Sequence, residues 1–232
     1  MIKKLIPPTL LGVFILSLIF APVPNADAQA GLVSSVLSKL DKNRQSLKSV
    51  SADISMEKYN SQLRDSDQYY GTIKYIPVAG RSAFVRLEWK KPQHEILAVA
   101  NGAYVLYRPR LNQAIYGNTN SIKSEKDNDV LALLNMSAAQ LRSRFGEFQD
   151  TREETIWGGV RTTHLKAVPK TTASYKYIEV WVDDSGMPVQ TKMVEKNDDS
   201  TTVRLSNVAK NQAIPKSEFE LKLDSSVKKI KG

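Results

Sequence analysis

The sequence predicts an α+β protein dominated by one antiparallel sheet of about ten or eleven strands, with two helical segments. Apolar and polar residues alternate from Val50 to Met56, the period of a strand with one buried face. In residues 71–117, Gly, Pro or Asn separates four or five short alternating segments, as in antiparallel hairpins. A sheet this long must curl, split or close, and periodicity does not distinguish a sandwich from a barrel.

The N-terminal residues have the pattern of a cleaved signal peptide. Residues 1–4 contain the basic pair Lys3 and Lys4, and the apolar run that follows covers residues 10–21, shorter than the roughly 20 residues that span a membrane. Small residues around Asp27 indicate cleavage after Ala28, with Ala30 as a second position. We therefore expect a signal peptide over 1–28 and one exported domain over 29–232. The alternative is a retained transmembrane anchor.

Helical periodicity is confined to two regions. Leu32, Val36, Leu37 and Leu40 predict one long helix over residues 31–48. Residues 124–134 begin with polar helix-start residues and end on an apolar run, which predicts a short second helix. A further short helix to Phe145 is predicted by the capping-box spacing of Ser137 and Gln140.

The rest of the chain returns to strand periodicity. Turns are predicted at residues 184–186 and 197–199. The predicted strands cover residues 148–155, 160–168, 175–182, 189–195, 201–208 and, last, 219–223. No repeat or change of composition divides these segments, so we expect a single domain.

Composition and charge limit the kinds of site and partner that the chain can have. The absence of cysteine excludes a disulfide framework, a thiolate nucleophile and Cys-ligated zinc. The net charge of +9 suits an acidic partner or an anionic membrane surface, with ordinary solubility charge as the alternative. Lys and Arg form no stripe of the kind that binds a nucleic-acid backbone, so no nucleic-acid partner is expected.

No catalytic motif is present, and we expect no enzyme, cofactor or metal site. The pair His94-Glu95 lacks the second histidine of a metalloprotease helix, and both His94 and His164 are interpreted as strand side chains. There is no Gly-rich phosphate loop and no G-x-S-x-G elbow. Asp183-Asp184 precedes Gly186 and is interpreted as part of a turn rather than a calcium site.

Two groups of ordered motifs carry a resemblance to a known family. In the first half, Arg81 precedes an aromatic strand that ends at Pro92, an apolar strand enters Asn101-Gly102, and an aromatic strand ends at Pro109. In the second half, residues 181–190 form an Asp-Gly hairpin pattern. This order resembles the periplasmic lipoprotein-carrier (LolA) family.

The remainder of the second half extends the likeness. Residues 201–211 are similar to the family's Leu-Ser-Asn strand, and residues 219–223 to its closing strand. The likeness covers roughly residues 32–230. It implies a single curved antiparallel sheet, an incomplete β-barrel, covered by an N-terminal helix and a short lid helix.

The resemblance also implies a function. The chain would be a monomeric periplasmic carrier that binds the acyl chains of lipoproteins in an apolar cavity and shuttles them from the inner to the outer membrane. Its implied partners are acylated lipoproteins, the inner-membrane Lol ABC transporter, and an outer-membrane acceptor or the membrane surface. The alternatives are a lipid- or glycolipid-binding periplasmic protein and an envelope-stress sensor of the same fold, whose usual second domain would be missing here.

The family resemblance also assigns candidate site residues. Strand residues at alternating positions are expected either to line the acyl cavity or simply to pack in a core: Ile73, Tyr75, Val85, Leu87, Trp89, Ile96, Tyr104, Leu106 and Trp181. The lid is expected to carry Val130, Leu131, Leu133 and Leu134, held closed by Arg81. Sequence alone does not decide which face of the sheet lines a cavity.

Overall fold

One large sheet organises the molecule. The structure, a computed structural model, describes residues 26–78, 83–122 and 124–232. These residues form three α-helices and an open, curved sheet of twelve strands, antiparallel except for one parallel pair. The predicted α+β class and the single curved sheet covered by an N-terminal helix are confirmed, with one strand more than the upper expectation.

Two meanders of hairpins supply eleven of these strands. The first contains β1 (Val50–Asn60), β2 (Asp65–Ile76), β3 (Phe84–Lys91), β4 (Glu95–Ala100), β5 (Ala103–Arg108) and β6 (Gln113–Asn118). The second contains β7 (Phe145–Ile156), β8 (Val160–Pro169), β9 (Tyr175–Asp183), β10 (Pro188–Glu195) and β11 (Ser200–Lys210). The remaining elements are β12 (Lys228–Lys231) and the helices α1 (Ala26–Ser46), α2 (Glu125–Leu134) and α3 (Ala138–Arg144).

The meanders meet in the middle of the sheet. The strand order is β12-β6-β5-β4-β3-β2-β1-β11-β10-β9-β8-β7. β1 pairs with β2 on one side and with β11 on the other, where Val50 lies opposite Lys210. β12 adds to the edge strand β6 in parallel. The two short helices α2 and α3 therefore lie on the connection between the meanders.

All three helices cover one face of the sheet, which we call the inner face. Under α2 it buries alternate residues of β1 to β5 together with β11, including Met56, Leu87 and Val203. Under α1 and α3 it buries Leu165 and Val180 from β8 and β9. Each strand thus contributes one apolar side to a helix-covered core, as the alternation in β1 predicts.

The outer face of β2, β3 and β4 is covered by the segment that follows β11. Phe219 ends a 3₁₀ turn and is buried, with its ring 5.7 Å from the ring of Phe84. Lys74 Nζ lies 2.8 Å from the carboxylate of Glu218, and Arg86 donates a hydrogen bond to the Glu218 carbonyl. The predicted strand over residues 219–223 is therefore wrong: its apolar residue packs on the sheet from outside, and pairing resumes only at β12.

The histidines differ in placement. His164 lies in β8 as predicted, but His94 lies in the loop between β3 and β4, and its prediction as a strand residue is wrong. Pro92 provides the reason, because it has no N–H to donate to a neighbouring strand and β3 ends just before it. The predicted capping box is confirmed, with Ser137 and Gln140 each bonding the other's backbone N–H.

Candidate functional site

Helix α2 covers the inner face of the first meander. Its apolar residues Val130, Leu133 and Leu134 are buried against that face, while Leu131 is half-buried. These residues recur at helical spacing, so only one side of the helix is apolar. Ten residues of isolated helix are marginal in water, so α2 depends on this docking for its order.

A buried carboxylate anchors the N-terminal half of α2. The Trp89 indole N–H donates to Asp127 Oδ1 at 2.8 Å, and the Asp127 residue is 0% exposed. Its second oxygen, Oδ2, is buried and has no hydrogen-bond partner. Burial accordingly raises the pKa of Asp127. A buried charge with half of its oxygens unpaired costs free energy, so this anchor fixes the position of α2 without holding it strongly.

A three-residue ion cluster lies beside this anchor. Glu95 of β4 is buried and accepts a hydrogen bond from Arg108 Nε at 2.9 Å and another from Lys126 of α2. The Lys126 ammonium also lies 5.7 Å from the ring centre of Trp89. These contacts attach α2 to the sheet through charged and polar groups, whose hydrogen bonds water can also satisfy.

The C-terminal end of α2 has one neutral anchor. The Tyr75 hydroxyl of β2 donates to Asn135 Oδ1 at 2.8 Å, and burial raises the pKa of that tyrosine. A cavity of about 880 Å³ opens here, between the ends of α1 and α2, with Leu47, Leu134 and Met187 among its lining residues. Part of the rim of this cleft, Val78 and Ala83, borders residues 79–82, which lie outside the described residues.

Two further cavities touch α2. One of about 350 Å³ lies at the other end of the helix and is lined by Tyr104, Leu106 and Asp127. Another of about 110 Å³ separates Leu133 from β10 and β11. Open clefts therefore lie at both ends of α2 and beside Leu133, so the edges of this cover are not sealed.

Asp129 adds a second perturbed carboxyl on the same helix. Burial raises its pKa to about 6, opposed by the nearby Lys58 and reinforced by Glu125 and Glu195. One of its oxygens is buried without a hydrogen-bond partner. Because the protonated form is favoured in the docked helix, docking is linked to pH.

The structure separates the predicted cavity residues into two groups. Seven point to the inner face, in the core cluster under α2: Ile73, Tyr75, Val85, Leu87, Trp89, Tyr104 and Leu106. Ile96 pairs with Glu88 and Tyr107 and points to the outer face. Their part in acyl binding stays a prediction, and Arg81 lies outside the described residues.

Trp181 also points away from the helices, although its ring borders the same core cluster. Its neighbours Val180 and Val182 pack against α1 and α3. The indole lies instead with its centre 4.7 Å from that of His164, and its N–H donates to Glu154. Strand alternation therefore places Trp181 on the outer face.

Sequence reasoning missed the polar anchors of α2. Asp127, Val130 and Leu134 are spaced three and four residues apart, so helical periodicity places Asp127 on the apolar side. That spacing was the available signal. Glu95 was considered only as the neighbour of His94, and its partners Arg108 and Lys126 come from other elements.

Two further properties concern the described residues alone. Among them, no group of three or more His, Asp or Glu side chains is arranged to hold a metal ion. In the same residues, no helix combines the length and apolar character needed to cross a membrane.

Comparison with known proteins identifies a family. The sequence matches the family described as outer membrane lipoprotein carrier protein LolA over residues 45–222. No curated protein matches the sequence. These matches name no catalytic family.

Solved structures resemble the fold. An uncharacterized conserved protein from Thermus thermophilus is similar at a TM-score of 0.55 and 8% identity, over 86% of this chain and 98% of that one. A structure of MucB is similar at a TM-score of 0.53 and 13% identity, over 85% of this chain and 65% of that one. The Pseudomonas aeruginosa MucA/MucB complex contains a chain that is similar at a TM-score of 0.52 and 14% identity, over 82% of this chain and 61% of that one. The chain thus spans less than two thirds of the length of both latter relatives, and identities this low show the fold alone.

Proposed function

Because the chain belongs to the LolA family of outer membrane lipoprotein carrier proteins, we propose that it carries lipoproteins across the periplasm. Its signal peptide, residues 1–28, is removed on export, and the domain over 29–232 binds the acyl chains between α2 and the inner face. In this proposal it accepts lipoproteins from the inner-membrane Lol ABC transporter. It releases them to an outer-membrane acceptor or to the membrane surface.

The observation that carries the proposal is the apolar inner face covered by α2, with open clefts at both ends of that helix. An acyl chain leaving a membrane exposes apolar surface worth about 0.8 kcal/mol for each CH₂ group. The inner face supplies aliphatic and aromatic surface to cover it, including Leu87 and Leu106. The cavities of about 880 and 350 Å³ at the two ends of α2 provide space that expands when the helix moves.

Release requires that the protein bind its cargo more weakly than the tightest non-covalent complexes, whose binding free energies are about −18 to −21 kcal/mol. The contacts that anchor α2 to the sheet oppose cargo binding, because cargo must displace the helix. When the helix is displaced, the Trp89–Asp127 and Glu95–Lys126 contacts must break, and when cargo leaves they form again. We infer that this exchange keeps cargo affinity moderate, because every kilocalorie that stabilises the closed helix is subtracted from cargo binding.

The direct test is mass spectrometry of what co-purifies with the protein from the periplasm, followed by lipopeptide titration of the purified domain. We expect intact acylated lipoproteins. Free phospholipid or glycolipid alone would contradict the carrier proposal and favour a lipid-binding protein of the same fold.

A matched pair of variants locates the site. Ile115 lies on the inner face and lines the cavity of about 350 Å³, whereas its neighbour Tyr116 points outward. We expect Ile115→Trp to fill the cavity and weaken lipopeptide binding on the order of tenfold. Tyr116→Trp is the control and should bind normally. Equal binding by both variants, each with a normal melting temperature, would remove this cavity from the site.

A further inference from the structure

The tip of the β7–β8 hairpin reaches across the outer face of the sheet to β11. Arg204 of β11 lies opposite Gln190, which lies opposite Trp181, so strand alternation places Arg204 on the outer face. Trp157, in the turn between β7 and β8, is 81% exposed, and its ring centre lies 5.3 Å from the Arg204 guanidinium carbon. Arg204 Nη2 also donates a hydrogen bond to the Trp157 carbonyl. Because β9 and β10 separate β8 from β11, these contacts bring together two residues that are distant in the sheet.

The Arg204 guanidinium has no counter-ion among the described residues. The residue is half-buried, and its Nε atom is buried without a hydrogen-bond partner. Burial lowers the pKa of this arginine, and no carboxylate acts in the opposite direction. A partly desolvated charge without a partner costs free energy of folding. Such a group indicates a ligand site more than a stabilising contact.

Carboxylates on the neighbouring strands have other partners. Asp53 and Glu57 lie on β1, two residues before and after Ser55, which is opposite Arg204. Each of these two carboxylates accepts a hydrogen bond from a side-chain amide, at 2.7 and 2.9 Å. Glu154 of β7 accepts hydrogen bonds from an indole N–H and from another arginine. None of the three therefore neutralises Arg204, which can bind an anion from solution.

We propose that Trp157 and Arg204 form a binding site for an oxyanion, a carboxylate or a phosphate, attached to a sugar ring. One guanidinium can donate to two oxygens of such a group at once. The exposed indole offers a flat apolar surface on which the ring can stack. The cross-strand neighbours Ser55 and Gln190 add a hydroxyl and an amide beside the guanidinium, which are groups that bind sugar hydroxyls. This site lies on the face opposite α2 and goes beyond the carrier proposal.

The first experiment titrates the mature domain with three matched sugars, glucose, glucuronate and glucose 6-phosphate. The readout is the indole N–H signal of Trp157 in the NMR spectrum, identified by its loss in Trp157→Phe. We expect this signal to shift with glucuronate, with glucose 6-phosphate or with both, but not with glucose, and the response to weaken at high salt. A response to only one of the charged sugars identifies the oxyanion as carboxylate or phosphate. Equal responses to all three sugars, or no response to any, would overturn the proposal.

The second experiment compares variants by calorimetric titration with the charged sugar that binds. Arg204→Gln should weaken binding about 20-fold without lowering the melting temperature, because it removes an unpaired charge. Trp157→Ala should weaken binding about fivefold, and its exposure means that the fold does not depend on it.

The matched control is Arg161→Gln. Arg161 follows the same hairpin turn, is exposed and pairs with Asp184 at 3.0 Å, so this variant should bind like the wild type. Wild-type affinity in Arg204→Gln or in Trp157→Ala would overturn the proposal, as would an equal loss in Arg161→Gln. None of these outcomes bears on lipopeptide binding under α2.

Discussion

The two halves of the inner face are covered by helices of different character. Under α1 and α3 the interface is aliphatic: Val36, Leu37, Leu40 and Leu141 pack with Leu165, Val180 and Val182, and a cleft of about 390 Å³ opens beside the N-terminal half of α1. Under α2, three apolar residues share the interface with a buried Asp127, the charged Lys126 and several cavities. We therefore expect α1 and α3 to form a permanent cover of the sheet and α2 to form a cover that can detach.

Local details reinforce this difference. Gly186 packs so closely on α1 that an added Cβ would lie 2.2 Å from the Lys39 carbonyl oxygen, and its φ of +82° is one that glycine tolerates. Asp41 of α1 accepts the Ala138 N–H of α3 at 3.1 Å. By contrast, the N-cap residue of α2, Ser124, makes no side-chain cap bond. The lesson is that burial fraction alone does not tell which helix is a lid, because both covers bury leucines completely.

The largest expected effect distinguishes two leucines of equal burial. Leu37→Ala on α1 should lower the free energy of unfolding by about 3 kcal/mol. Leu133→Ala on α2 should lower it by only about 1 kcal/mol, because α2 can open locally and the loss cannot exceed its docking free energy. Urea denaturation followed by circular dichroism measures both. Equal losses would mean that the two covers belong to one cooperative unit.

Removing the indole donor should open α2 specifically. Trp89→Phe removes the indole N–H that Asp127 Oδ1 accepts, which costs about 1 kcal/mol of docking free energy. Hydrogen exchange of α2 should rise accordingly, while that of α3 stays unchanged. Trp181→Phe is the matched control, since its indole bonds Glu154 on the outer face. If both variants expose α2 equally, the Trp89–Asp127 contact is not an anchor.

Loss of the capping box should weaken the permanent cover. Ser137→Ala removes the acceptor for the Gln140 N–H at 3.1 Å and should cost about 1 kcal/mol of global stability. Because α3 unfolds with the sheet, the loss should appear in the denaturation midpoint and not in the exchange of α2. A change confined to α2 exchange would place α3 with the detachable part.

The smallest effect is a pH dependence of α2 docking. The pKa of Asp129 is raised to about 6 in the docked helix, so docking is strongest below its unfolded pKa of 3.8 and weakens as pH rises through about 6. Partial solvent screening limits the change to about 0.5 kcal/mol. Exchange of α2, corrected for the intrinsic rate, should therefore slow between pH 7 and 5.

Acidification below pH 4 acts oppositely elsewhere, so the two effects fall in different pH ranges. The pKa of Glu179 is lowered mainly by His164, whose Nε2 lies 3.7 Å from the carboxylate, and the pKa of Asp150 mainly by the hydrogen bond from Arg152, so their stabilisation is lost as pH falls below about 4. Asp129→Asn should reduce the pH dependence of α2 exchange between pH 5 and 7, leaving the contribution of Asp127, whose pKa burial also raises. A dependence of unchanged size in this variant would assign it to a group other than Asp129.

Sequence patterns predicted the elements whose causes are local. The alternation of β1 and the Ser137 capping box depend on residues within a few positions of each other, and both were predicted correctly. The orientation of Ile96 was not accessible, because β4 is buried on both faces and its apolar run has no alternation. Phe219 was mistaken for a strand residue because its partner, Phe84, lies in a distant strand.

The candidate site was predictable only in part, for a related reason. Inner-face residues such as Leu87 and Tyr104 follow from alternation once the face is known. The pairing of Trp89 with Asp127 joins residues 38 positions apart. No local pattern marks it, and a buried carboxylate contradicts the usual preference of aspartate for solvent.

The pairing of β1 with β11 has a kinetic consequence. Each meander consists of hairpins between neighbouring segments, whereas Val50 and Lys210 meet across most of the chain. Contacts this distant in sequence require closure of a large loop before they yield stabilisation, which slows folding. We therefore expect refolding to proceed through two separately formed half-sheets whose junction is rate-limiting. Until β11 docks, the edge of β1 that faces away from β2 remains unpaired. We expect this edge to be the part of the chain most prone to aggregation.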